Sequence, residues 1–366
     1  MSKAFGPILA ALVFVHLAAA DDTKNQQQSN KPATPAEQFS ALMGEIEKAQ
    51  QDAMIAYRGA KTDEERQQIV EELAKKPQAY AGRLLELARK NPKERAAIEA
   101  LLFVAINMRA GRESDEAIGL LLDHHMAKLA PLCGDLARTP SPGAEKLLRG
   151  ILAKTSDHNL QGIATLALGQ FLKRVADSGG LKREKADQYA KEAEQHFDRV
   201  VKEFGDVEDL ADQAKGDLFE LRNLSIGKTA PDISGKDGED KELKLSEYRG
   251  KVVVLDFWAS WCGPCMAMVP HERELVKRLE GKPFAFLGVN VDDTKADLNR
   301  AQKDNRMSWR SFFDGRSGPI GKEWNIKAYP TIFVLDHKGV IRYKGVRGRA
   351  MDEAVETLLK QMSTGS

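Results

Sequence analysis

The chain is poor in cysteine, with three in 366 residues. Three thiols cannot build the multi-bridge framework of a small secreted domain. Nor can they form a four-cysteine zinc site, and no histidines stand beside them at ligand spacing. Net charge is nearly absent: 55 Lys and Arg against 54 Asp and Glu leave a formal +1. Nothing in that balance points to nucleic acid or an anionic membrane. The apolar stretch from Ile8 to Ala20 is too short for a comfortable membrane span, and no cysteine near its end could carry a lipid. A sustained 34-residue repeat is missing as well.

What is present divides into segments, and the length suffices for two domains. Lys3, the apolar stretch and Ala18-Ala19-Ala20 before Asp21 describe a secretory signal peptide over 1–20, with an uncleaved signal anchor as the alternative. The folded part is therefore expected to be extracytoplasmic, periplasmic or secreted. Residues 21–36 are rich in Gln, Asn, Lys, Thr and Pro and read as a disordered tether. From 37 to 225 the apolar spacing is helical, as in Phe39-Leu42-Met43-Ile46, with helix stops expected near Pro77, Pro92, Gly111, Pro140–Pro142 and Gly179-Gly180. Small and large apolar residues alternate over Ala164–Leu172 and Ala186–Phe204, which suggests an array of tetratricopeptide-like hairpins. Such an array has a protein partner as its possible ligand, although fold alone does not establish one.

From 226 to 366 strands alternate with helices. The pattern predicts strands at 251–257, 284–291, 309–313, 331–336 and 340–345, and helices at 263–280, 294–304, 318–324 and 351–362. That order implies a mixed central sheet with helices on both faces.

The most informative residues are Trp261-Cys262-Gly263-Pro264-Cys265. They fall between a buried strand and a helix. A helix N-terminus carries unpaired N–H groups and partial positive charge, and in such Cys-X-X-Cys sites the thiol pKa falls from about 8.5 to between about 3.5 and 7.5. Cys262 is expected to be the exposed nucleophile. Cys265, three residues on, lies within disulfide reach and would resolve the mixed disulfide. Pro264 removes a donor that the first helical turn does not use. No metal and no cofactor are expected. Cys133 reads as a buried, inert small hydrophobe, with a partner thiol as the alternative.

The run Asp256-Phe-Trp-Ala-Ser-Trp-Cys-Gly-Pro-Cys265, with Pro270 five residues later, resembles thioredoxin. The leader Ile226–Asp232 and the segment Leu245–Lys251 make about 226–363 more similar to the TlpA/ResA-like extracytoplasmic thiol–disulfide oxidoreductases. The resemblance implies an α/β thioredoxin-like domain behind an all-α helical domain. It implies that Pro330, in Tyr329-Pro330-Thr331, is a cis proline lying against the dithiol; read locally, it is equally a strand-start proline. It matches Asp256 to a buried aspartate that takes the Cys265 proton, against the plainer reading of a carboxylate satisfied by backbone or lysine neighbours.

The surface expected to meet substrate is Trp261, Gly263, Pro264, Tyr329 and Pro330. Of Trp258 and Trp261, one should be core and the other a lid. Pro270 should kink the active-site helix, and His271 reads as a solvated helix-face histidine. The expected activity is reduction of protein disulfides, with protein thiols and disulfides as substrates, a membrane electron donor and no nucleic acid. Two alternatives are a peroxiredoxin-like peroxidase, whose Thr-x-x-Cys pattern is replaced here by the dithiol, and a non-enzymatic helical adaptor.

Overall fold

The computed structural model describes residues 32–108, 111–178 and 180–364. The expected signal peptide and most of the expected tether lie outside the described residues. The chain divides into two compact units, one ending at Ala211 and one running from Asp212.

The first unit contains α1 (Pro35–Gly59), α2 (Asp63–Lys90), α3 (Arg95–Asn107), α4 (Arg112–His124), α5 (Cys133–Arg138), α6 (Pro142–Lys154), α7 (His158–Asp177) and α8 (Arg183–Glu203). Local chemistry sets several starts. Thr34 with Glu37 and Thr62 with Glu65 form capping boxes on α1 and α2. Ser141 and Asp157 accept hydrogen bonds from the first turns of α6 and α7. Consecutive helices pack on one another, α1 on α2, α2 on α3, α3 on α4 and α7 on α8.

Two features differ from the sequence expectation or sharpen it. The helix stop expected near Pro77 is absent, because α2 runs unbroken to Lys90. An internal proline forfeits one backbone donor at about 3 kcal/mol, a cost to be offset by the packing of α2 against both α1 and α3. Cys133 is fully buried and its Sγ donates to the Leu129 carbonyl at 3.4 Å; burial pushes its thiol up to about 12.

The second unit begins within α9 (Leu210–Asn223). A small antiparallel hairpin follows, β1 (Ser234–Lys236) with β2 (Glu242–Lys244). The sequence pattern does not reveal it, since each strand has three residues and the flanks are rich in Gly, Asp and Lys. The main sheet comprises β3 (Val252–Trp258), β4 (Phe284–Asn290), β5 (Ser311–Phe313), β6 (Thr331–Leu335) and β7 (Ile341–Lys344), in the order β5-β4-β3-β6-β7. β3, β4 and β5 run parallel, while β6 and then β7 pair antiparallel. The helices are α10 (Gly263–Arg278), α11 (Lys295–Asp304), α12 (Pro319–Glu323) and α13 (Arg349–Thr364). α11 and β5 lie between β4 and the Pro330 loop.

β3 is buried along its whole length, and its alternation sorts two cores. Val253, Leu255 and Phe257 pack with Leu224, Ile320 and Trp324. Val252 and Val254 pack on the opposite face with Val269 and Leu275 of α10 and Met351, Val355 and Leu358 of α13. Asp256, by the same alternation, belongs to the α10–α13 face.

One glycine marks a close crossing in the helical unit. A Cβ at Gly143 would lie 1.7 Å from the Ala105 carbonyl oxygen, and Ser141 Oγ donates to the adjacent Ile106 carbonyl at 2.8 Å. Gly143→Ala would gain about 1 kcal/mol of helix propensity but must push α6 off α3. We expect a net loss of about 1–3 kcal/mol in urea unfolding followed by helical circular dichroism. A variant as stable as the parent would show that the two helices can part freely.

Candidate functional site

The dithiol sits where β3 ends and α10 begins. Cys262 and Cys265 are joined by a disulfide with S–S 2.06 Å and Cα–Cα 5.3 Å. Cys262 is the N-cap of α10, and the Cys265 backbone N–H donates to its Sγ at 3.2 Å. An orphan donor of the first helical turn is thereby aimed at the Cys262 sulfur, and the helix N-terminus favours negative charge at that point.

The sequence expectation of an exposed Cys262 is corrected, because the residue is only 6% exposed. Its sulfur turns inward to Cys265, and both cysteines pack with Trp258, Ala259 and Val291, with Tyr329 against them. Of the two tryptophans, Trp258 is core at 1% exposure and Trp261 is half exposed at 53%. Trp261 meets the Tyr329 ring edge-on at 5.8 Å between centroids, and the Arg316 guanidinium lies over it at 5.6 Å. Arg316 is held by both carboxylate oxygens of Asp293, at 2.6 and 3.0 Å. Gly263 presents open space where a side chain would stand, beside Pro264 in the first turn. Tyr329–Pro330 is a cis peptide, and Arg347 Nη2 donates to the Pro330 carbonyl at 3.0 Å. α10 continues through Pro270 to Arg278. His271 is not simply solvated: its Nε2 lies 2.9 Å from Asp352 Oδ1, since α13 packs alongside α10.

Asp256 is 4% exposed, and its Oδ1 has no hydrogen-bond partner. The backbone or lysine satisfaction that the plainer reading supposed is absent at that oxygen. Burial pushes its carboxyl up to about 7, opposed by the nearby Arg347 charge. Glu272, which the sequence reading passed over, is 2% exposed with Oε1 also unpartnered. Burial first, and then repulsion from Asp256, push it up to about 9. One signal for it existed: Cys265, Val269 and Glu272 fall at i, i+4 and i+7, the sheet-facing stripe of α10.

Other supports were not legible. Asp292, fully buried, accepts from Ser260 N and Oγ at 2.9 and 3.0 Å and from Asn290 Nδ2 at 2.9 Å, bracing the segment before the dithiol. Asp217 of α9, 2% exposed, takes Lys327 at 2.8 Å and Asn325 at 3.3 Å, anchoring the chain that leads to Pro330. Among the described residues no group of three or more His, Cys, Asp or Glu side chains is placed to ligate a metal.

A mixed sheet whose central parallel strand runs into a helix capped by a Cys-Gly-Pro-Cys disulfide defines a thioredoxin-fold thiol–disulfide centre. The family model and the curated relatives agree. The AhpC/TSA family model matches residues 226–344. Thiol-disulfide oxidoreductase ResA of Geobacillus kaustophilus is 30% identical over 139 residues, which are 38% of this chain and 79% of that protein. Thioredoxin-like protein YneN of Bacillus subtilis is 34% identical over 121 residues, 32% of this chain and 70% of that one. A solved structure, a putative thiol:disulfide interchange protein DsbE from Chlorobium tepidum, is 31% identical with a TM-score of 0.34, covering 38% of this chain and 97% of that one. The chain belongs to the ResA-like thiol–disulfide oxidoreductases of the thioredoxin superfamily.

The buried carboxyls make stability depend on pH. Burial pushes the folded Asp256 carboxyl up to about 7, against about 4 in the unfolded chain. Between those values the folded state holds the extra proton. Its stabilisation is complete below about pH 4 and is lost as pH rises through 7. Asp256→Asn removes that loss. Its stability relative to the parent, measured by urea unfolding of the oxidised protein, should rise by on the order of 3 kcal/mol between pH 4 and pH 8. A difference that does not vary with pH would exclude ionisation of Asp256 as the cause.

Proposed function

We propose that this is an exported protein-disulfide reductase working from the Cys262–Cys265 pair. The observation that carries it is the capped disulfide: Cys262 Sγ receives a helix N-terminal N–H while Trp261, Tyr329 and the open Gly263 border it. In the reduced protein that donor and the helix dipole favour the Cys262 thiolate.

The thiolate attacks one sulfur of a substrate disulfide. The other substrate sulfur leaves as a thiolate and takes a proton from solvent. Cys265 then gives its proton to Asp256 and attacks Cys262 Sγ. The Cys262–substrate bond breaks, the second substrate sulfur is protonated from solvent, and the Cys262–Cys265 disulfide closes. Two electrons have passed from the pair to the substrate. The substrate strand is placed along Trp261, Gly263, Pro264, Tyr329 and Pro330, with backbone pairing beside Pro330. The Gly-Pro dipeptide resembles that of reducing family members and supports the reducing direction.

The oxidised pair then needs a dithiol donor, which for an exported protein is a membrane electron carrier. Export rests on the signal-like residues 1–20; among the described residues no helix is long and apolar enough to cross a membrane. The helical unit is assigned to holding a protein partner.

Cys262→Ala should abolish insulin-disulfide reduction, and retained activity would sink the assignment. Cys265→Ala should accumulate mixed disulfides with substrate, visible on non-reducing gels; their absence would remove Cys265 from resolution. Equilibration of the pair with dithiothreitol buffers should give a potential near or below about −250 mV, whereas a value between about −180 and −120 mV would make the protein an oxidant or isomerase.

A further inference from the structure

Two consecutive aspartates follow β4, and each serves one side of Trp261. Asp292 accepts from the backbone N–H and the hydroxyl of Ser260, the residue before Trp261. Asp293 accepts from Arg316 through both carboxylate oxygens, at 2.6 and 3.0 Å, and the Arg316 guanidinium lies over the Trp261 ring at 5.6 Å. The indole also meets the Tyr329 ring edge-on at 5.8 Å. Trp261 is therefore held next to its backbone, over its ring and against the residue before Pro330, although 53% of it remains exposed.

The loop that carries Arg316 is itself fastened. The Asp314 and Gly315 N–H groups donate to the Asn290 carbonyl at the end of β4, at 2.9 and 3.2 Å. The Asp314 carboxylate accepts from the Ile320 and Gly321 N–H groups at 3.0 and 2.7 Å. Asp293 follows three residues after Asn290, so both partners of the Asp293–Arg316 pair are hung from β4, the strand beside β3. A guanidinium bound by both carboxylate oxygens has a set plane, and that plane suits an aromatic face. Arg316 and Asp293 are 64% and 58% exposed, so replacing either leaves no buried charge behind.

We propose that Arg316, held by Asp293, is a positioning residue for substrate docking: it fixes the exposed Trp261 indole against Tyr329 as one wall of the surface beside the dithiol. The proposal rests on the reading of Trp261 and Tyr329 as substrate-contacting. An indole fixed in advance covers the apolar surface of a substrate without losing side-chain freedom on binding. Such a wall acts on a peptide chain that extends past its disulfide. A disulfide with no chain to lay there gains nothing from it. Arg316 thus serves the binding of peptide and protein disulfides rather than the exchange of sulfur bonds.

The test compares two substrates of the reduced full chain in single turnover. One is a peptide disulfide with leucine on each side of its cysteines. The other is bis(2-hydroxyethyl) disulfide, which is neutral and has no chain. Arg316→Met keeps a long apolar stem and loses the guanidinium. It should lower the rate constant for the peptide, relative to that for the small disulfide, by about two- to fivefold. Asp293→Asn should move the same ratio in the same direction. In a Trp261→Ala background, Arg316→Met should lower the ratio no further, because Arg316 acts through the indole.

An unaltered ratio in Arg316→Met, with the ratio lowered in Trp261→Ala, overturns the role of Arg316 alone. Additive losses in the double variant overturn it too, since Arg316 would then act apart from the indole. An unaltered ratio in Trp261→Ala removes Trp261 from the docking surface, and the role of Arg316 with it. A parent protein that reduces neither disulfide overturns the reductase reading and everything placed on it.

Discussion

β3 is buried on both faces and paired on both edges, so every group at its carboxyl end is fixed by packing before any chemistry is asked of it. The site depends on that constraint. The strand delivers Trp258 into the core and hands the chain to α10 through Ala259, Ser260 and Trp261. Asp292 grips the middle of this three-residue link through both the backbone and side chain of Ser260. The N–H of Cys265, in the first turn of α10, then meets Cys262 Sγ at 3.2 Å. A thiolate there is favoured by backbone dipoles that need no reorganisation when charge appears.

The same burial that fixes the strand sets the electrostatics of its face. A helix N-terminus attracts negative charge, whereas the apolar layer a turn below repels it. Cys262 Sγ and the Asp256 carboxyl thus sit in opposite environments. The Cys265 N–H faces the sulfur, whereas burial pushes the Asp256 carboxyl up to about 7. Two titratable groups pushed apart by their surroundings are what an acid–base pair requires.

Periodicity and one motif made much of this legible. The Cys-Gly-Pro-Cys run, the buried strand before it and the α/β alternation after it are local patterns, and the observed bounds of β3, α10 and β6 lie within two residues of those expected. What stayed hidden is long-range. Asp217 meets Lys327 and Asn325 across 110 and 108 residues of sequence, and nothing near either end announces the pairing. α9 from Asp212 onward falls within the C-terminal compact unit. The β1–β2 hairpin is too short for alternation to register. Glu272 carried a helical-stripe signal, but a glutamate in such a stripe reads as an exposed interruption until the sheet is seen to cover it.

A second buried carboxyl, Glu272, on the helix that covers the Asp256 face of β3 needs a physical account. An unpartnered buried polar oxygen costs about 1–3 kcal/mol, and natural structures carry few of them without a reason. Kept protonated, Glu272 adds that cost and no charge. Once Asp256 ionises, Glu272 cannot follow without placing two negative charges in one apolar layer. Because the bordering strands supply only Gly288 and Ile332 across from Asp256, the sheet itself offers neither carboxyl a side-chain partner, and burial pushes both up.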